Sequence, residues 1–112
     1  MYIGIDLGTS GLKAIVIDKN GVLLASESVP LRVSSAQDLW SEQNPQHWWT
    51  ALNKAMLKLN EQCDLSQVVA IGLAGQMHGA TLLDKGGEVI RPCMLWNDGR
   101  SVQECRELYQ LK

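Results

Sequence analysis

No run of about 18 apolar residues, the length a helix needs to cross a bilayer, occurs anywhere in this 112-residue sequence. The opening Met-Tyr-Ile-Gly-Ile-Asp also lacks a basic stretch followed by a long apolar one. No leader is read there, and a cytoplasmic protein without a membrane partner is expected. A block of Lys and Arg is missing as well. The formal net charge of -2 at pH 7 is spread over Lys, Arg, Asp and Glu, so there is no electrostatic footprint for a phosphate backbone, and nucleic acid is not expected as a partner. The three cysteines, Cys63, Cys93 and Cys105, form no C-x-x-C pair. That argues against a disulfide framework or a thiolate zinc site, and each cysteine reads as a small buried hydrophobe. Linkers, repeats and low-complexity tracts are likewise absent.

What is present describes a foldable chain. Hydrophobic residues make up 46% and charged residues 20% of the sequence, a globular rather than a disordered balance, and the length leaves room for one core. Tyr2 to Leu7 and Leu12 to Asp18 are short runs rich in Ile and Val, read as strands joined through Gly8-Thr9-Ser10-Gly11. Asn20-Gly21 is a hairpin signal, so Val22 to Leu31 pairs back as a third strand of an antiparallel meander. Asn44-Pro45 then fits a helix start. The apolar positions Trp48, Leu52, Ala55, Met56 and Leu59 form one stripe behind it, with Trp48 read as core. Val68 to Leu73 predicts a parallel strand buried on both faces after the helical crossover. Ala80 to Leu83 and Glu88 to Ile90 predict a hairpin around Asp84-Lys85-Gly86-Gly87, Cys93 to Trp96 is extended, and a last helix carries Val102, Cys105 and Tyr109 near one face. The class is therefore α/β with a mixed sheet, an antiparallel meander plus a parallel strand and helices.

Three segments can carry chemistry. In Gly4-Ile5-Asp6-Leu7-Gly8-Thr9-Ser10-Gly11-Leu12-Lys13 a carboxylate at a strand end meets a glycine turn. Glycines let backbone N–H groups approach a phosphate. Thr9 and Ser10 add hydroxyls, and Lys13 adds a charge if its side chain returns toward the turn. Asp6 suits Mg2+ held through water, because that ion keeps several waters and takes one or two carboxylates beside substrate phosphates. The turn is neither a Walker A loop nor a dinucleotide-binding glycine motif, since the chain runs strand, turn, strand. The plainer reading is that Asp6 and the glycines only build a hairpin, against which stands a buried acid with no basic partner in view. In Ala74-Gly75-Gln76-Met77-His78-Gly79, at the end of the parallel strand where open α/β sheets place ligands, Gln76 and His78 can bond sugar hydroxyls and Met77 can lie on the carbon skeleton. A structural hydrogen bond is as good an account of His78. In Trp96-Asn97-Asp98-Gly99-Arg100, Asp98 either takes sugar hydroxyls or caps the last helix. His47 has no partner at metal-ligand spacing.

Taken together, these segments resemble the N-terminus of the FGGY family of carbohydrate kinases. Asp6-Leu7-Gly8-Thr9-Ser10 resembles the first phosphate motif shared by sugar kinases, actin and Hsp70. Leu39-Trp40-Ser41-Glu42-Gln43, Gly75-Gln76-Met77-His78-Gly79 and Leu95-Trp96-Asn97-Asp98-Gly99-Arg100 are similar to the family's xylulokinase branch. The resemblance implies an RNase H-like, actin-like ATPase fold of which residues 1–112 are the opening part of the first domain. It implies ATP and Mg2+ as cofactors, a ketose as substrate, and phosphoryl transfer to the 5-hydroxyl of D-xylulose. Asp6 would hold the metal; Gly8, Thr9, Ser10 and Lys13 would face phosphate; Gln76, Met77, His78 and Asp98 would face sugar. The catalytic aspartate is expected beyond Lys112, so the chain alone is expected to be inactive. An incomplete domain leaves edges that a longer parent, a partner or self-association should cover, and a homodimer is an option for the parent. The rival readings are a sugar-independent ATPase or switch of the actin and Hsp70 type, and a non-catalytic sugar-binding fragment.

Overall fold

The structure, a computed structural model, describes residues 1–111. The strands are β1 Tyr2–Leu7, β2 Gly11–Ile17, β3 Leu23–Pro30, β4 Glu42–Gln43, β5 Ala70–Gly75 and β6 Cys93–Met94, and the helices are α1 Pro45–Gln62 and α2 Val102–Gln110. They divide between two compact units, one made of Met1–Arg32 and Gln46–Gln76, the other of Val33–Pro45 and the chain from Met77 onward.

In the first unit a sheet of order β3-β2-β1-β5 carries the antiparallel meander, with β5 parallel to β1. The Asn20-Gly21 turn forms because the Asp18 carboxylate accepts from the N–H groups of Asn20 and Val22 at 2.7 and 2.8 Å, with Gly21 at φ 82°. Alternation then sorts the side chains. Ile3, Leu12, Ala14, Val16, Ala25 and Val29 face α1, which buries Ala51, Ala55 and Leu59 against them. The buried stripe is thus turned from the expected one: Ala55 and Leu59 are core, Leu52 and Met56 pack at its border, Ala51 joins it, and Trp48 is only half-buried. Gly4, Asp6, Lys13 and Ile15 belong to the opposite face of the sheet, in pairs Gly4 with Ile15 and Asp6 with Lys13.

Two expectations are corrected here. The parallel strand exists, but all six residues of β5 are exposed rather than buried on both faces, because α1 does not reach across it and nothing pairs with its outer edge among the described residues. Of the cysteines, Cys93 is buried and Cys63 half-buried against the Leu59 carbonyl, whereas Cys105 is exposed on α2.

In the second unit β4 pairs antiparallel with β6, Ser34 bridges the free edge of β4, and Ala80 bridges the free edge of β6. The expected hairpin survives as a tight loop: Leu83 faces Val89 around a turn whose Asp84 carboxylate accepts from the N–H groups of Gly86 and Glu88. α2 starts at Val102, with Ser101 and not Asp98 at its N-cap. Asp98 is spent elsewhere.

Candidate functional site

Asp6 stands near the end of β1 on the face away from α1, and it is exposed, not buried, with Lys13 directly across the ladder. Both features differ from the expected buried acid without a basic partner. Alternation explains the exposure: Ile5 and Leu7 point to the helix, so Asp6 between them must point away. Two adjoining recesses, of about 440 and 370 Å³, are both lined by Asp6 and Lys13; Gly4, Ile15 and Ala74 help line the first, Ser10 and Ser28 the second. Gly8 and Thr9 line neither recess. The Gly8 N–H closes the turn on the Gly11 carbonyl at 2.9 Å, and the Thr9 hydroxyl donates to the Gln76 side-chain oxygen at 2.9 Å. Gln76 also donates its backbone N–H to the Leu7 carbonyl at 2.8 Å, continuing the β1–β5 ladder past Gly75. The first unit therefore gathers Asp6, Gly8, Thr9, Ser10, Lys13 and Gln76.

No cluster of three or more His, Cys, Asp and Glu able to hold a metal is found among the described residues. At this place the first unit offers a cation the exposed carboxylate of Asp6, a donor that fits Mg2+ shared with water and substrate phosphates and does not fit a closed zinc site. Lys13 lies across the ladder from Asp6 on the same open face.

The second unit holds Met77, His78 and Asp98. Met77 is 71% exposed and His78 is also exposed, at φ 63°. Left-handed backbone is uncommon outside glycine and costs of order 1 kcal/mol or more, so it persists only where the surroundings hold it. Asp98 is 4% exposed in its side chain. Its carboxylate accepts from the Ser41 N–H at 2.7 Å, the Arg100 N–H at 3.1 Å and the Arg100 Nε at 2.8 Å, with Arg100 Nη2 closing the fork. The Arg100 bonds and the Ser41 N–H hold its carboxyl well below the usual carboxylate range, and the same pair raises the Arg100 guanidinium.

The sequence reading overlooked what surrounds Asp98. The Glu42 carboxylate accepts from both Arg91 and Arg100, the latter at 2.8 Å, and both guanidiniums lie over the Trp40 ring, 3.7 Å from its centroid for Arg100 and 5.9 Å for Arg91. These residues are 49 to 58 positions apart in the chain where Glu42 meets the two arginines, and Glu42 sat in a polar stretch without periodicity. Only the charged Glu in Trp-Ser-Glu-Gln, opposite two later arginines, was there to be read.

No helix among the described residues is long and apolar enough to cross a membrane. Comparison with known proteins places the chain. Residues 1–112 match the FGGY family of carbohydrate kinases, N-terminal domain. The chain is 55% identical over 105 residues to an Escherichia coli (strain K12) protein named xylulose kinase, an alignment covering 94% of this chain and 22% of that protein. Among solved structures it superposes with a TM-score of 0.92 at 47% identity on a Brucella ovis protein described as a xyloylose kinase, covering 96% of this chain and 23% of the other. A xylulose kinase from Rhodospirillum rubrum gives 0.91 at 30% identity, covering 98% and 23%. The chain thus spans about 22% of the length of the curated relatives it matches. The fold is the actin-like ATPase fold seen in these neighbours, and the chain belongs to the FGGY family of carbohydrate kinases.

Proposed function

We propose that the polypeptide beginning with this sequence transfers the γ-phosphoryl group of ATP to the 5-hydroxyl of D-xylulose. The bond from the γ-phosphorus to the bridging oxygen breaks, a bond to the sugar oxygen forms, and the hydroxyl proton passes to a base outside residues 1–112. Such transfer needs mostly positioning and charge neutralisation, and this chain's residues serve those needs. Asp6 would hold Mg2+ through water, the ion supplying charge neutralisation at the phosphates when bound. Gly8, Thr9, Ser10 and Lys13 would line the path of the phosphates. Thr9 does so with its hydroxyl proton already directed to Gln76. Met77 would lie against the sugar's carbons, and Gln76, His78 and Asp98 would address its hydroxyls. For Asp98 this means offering an oxygen whose lone pairs are already shared with Arg100 and Ser41.

The observation that carries the reading is Asp6: an exposed carboxylate at a strand end, on the open face of the sheet, lining both recesses beside Lys13. The choice of ketose rests on the kinship with proteins named xylulose kinase. The test is ADP release by the longest native polypeptide that begins with this sequence, with Mg2+ and ATP, across D-xylulose, L-ribulose, glycerol and no sugar. D-xylulose is expected to raise the rate well above the blank and Asp6→Ala to abolish the rise. The 112-residue chain alone serves as the control and is expected to show no such rise. Hydrolysis indifferent to every sugar would instead favour an ATPase or switch.

A further inference from the structure

We propose that Glu42 is a positioning residue for the acceptor sugar, acting through strand β6 on the turn that carries Met77 and His78; this rests on the sugar-kinase reading above. The link is short. Met94 of β6 pairs with Glu42 on one side and with Ala80 on the other, the second contact being two hydrogen bonds of 2.8 and 3.1 Å. Gly79, between His78 and Ala80, sits where an added Cβ would come 3.2 Å from Cys93 Sγ, so β6 touches the turn at two successive residues. His78 is held at φ 63° only two residues from that contact. Strained backbone of this kind needs neighbours that over-determine it, and β6 is the neighbour in place.

The two-residue β4–β6 pair is continued by the Leu95 N–H on the Ser41 carbonyl at 2.9 Å and the Gly99 N–H on the Leu39 carbonyl at 2.7 Å, still a short ladder of the kind whose register is weakly fixed by backbone bonds alone. Side chains add what the ladder lacks. Glu42, with a side chain 9% exposed, ties β4 to Arg91, two residues before β6, and to Arg100, six residues beyond it. Asp98 grips Arg100 and the Ser41 N–H, and Trp40 carries both guanidiniums on its face. The arrangement is costly as a mere stabiliser. Ser41 Oγ, Arg91 Nε and Arg100 Nη1 are buried with no hydrogen-bond partner among the described residues, and buried ion pairs generally give little net stability over apolar packing. What such a cluster does supply is a fixed geometry on both flanks of β6.

The experiment uses the longest native polypeptide beginning with this sequence and compares wild type with Glu42→Gln and with Arg91→Gln, the latter on a side chain 35% exposed and so more tolerant of change. Sugar-dependent ADP release is measured against D-xylulose and, separately, against ATP. The KM for D-xylulose is expected to rise on the order of tenfold, as misplacing a substrate-positioning group does, while the KM for ATP stays within about twofold. A structural role alone lowers kcat with the folded fraction and leaves both KM values unmoved; that result overturns the inference, as does an unchanged D-xylulose KM in both variants. Should Glu42→Gln fail to fold, Arg91→Gln decides by the same two constants. If wild type itself shows no sugar-dependent release, the kinase reading fails first and the inference falls with it.

Discussion

Replacing Asp98 by Asn removes one charge from a buried site while preserving its shape, and the structure sets both the size and the pH dependence of the effect. Four donors converge on the carboxylate: the N–H groups of Ser41 and Arg100, and two nitrogens of the Arg100 guanidinium. Asn keeps one oxygen and turns an NH2 toward N–H donors that cannot accept from it. Breaking a buried ion pair costs about 3–5 kcal/mol when the remaining charge is stranded. Here Arg100 is not stranded, because Glu42 still accepts from it at 2.8 Å, so the expected loss is about 2 kcal/mol at neutral pH. For a domain near 100 residues that lowers Tm by roughly 8–16 °C. The sign with pH follows from the carboxyl being held below its usual range by Arg100 and the Ser41 N–H. A depressed folded-state pKa stabilises fully above the unfolded value of about 3.9 and is lost as pH falls below it. The gap between wild type and Asp98→Asn in urea unfolding should therefore be constant from pH 7 to about 5 and close progressively toward pH 2. A gap under about 0.5 kcal/mol at pH 7, or one that persists unchanged at pH 2, would refute the reasoning.

Gly11→Ala should destabilise the chain by about 1–3 kcal/mol in thermal unfolding, because its Cβ would stand 2.9 Å from the Val29 carbonyl oxygen at the start of the β2–β3 ladder; an ordinary Gly-to-Ala gain would contradict this. His78→Gly should leave Tm equal or slightly higher, since glycine adopts φ 63° without strain, while raising the KM for D-xylulose; a lowered Tm with an unchanged KM would assign His78 to structure and not to the sugar.

The meander was legible because its signals are local. Ile and Val runs, Gly8 to Gly11 and Asn20-Gly21 each act within a few residues, and the register Asp6 opposite Lys13 follows from the length of the turn. The parallel pairing of β5 was legible from its place after α1, but its burial was not. An apolar run states that a strand wants cover, and here Ile71 and Leu73 are 57% and 80% exposed. The exposure of Asp6 was available from alternation alone, since its neighbours Ile5 and Leu7 had to share the helix-facing side. The cluster of Trp40, Glu42, Arg91, Asp98 and Arg100 was not available. Its members lie in two separate stretches whose pairing depends on two-residue strands, too short to show a period; Asp98 does not cap α2, and its grip on Arg100 and Ser41 has no local signal in the sequence. The left-handed turns at Leu39 and His78 carry no glycine or asparagine to announce them.

The central claim is that a phosphoryl group ends on a sugar carried beside Met77 and His78, and the most direct measurement follows the phosphorus. ATP labelled in the γ-phosphate is incubated with Mg2+, D-xylulose and the longest native polypeptide that begins with this sequence, and the label is located. Label on the 5-oxygen of the ketose, absent when Asp6 is replaced by Ala, is the predicted result; label released only as inorganic phosphate, with or without sugar, would contradict the account.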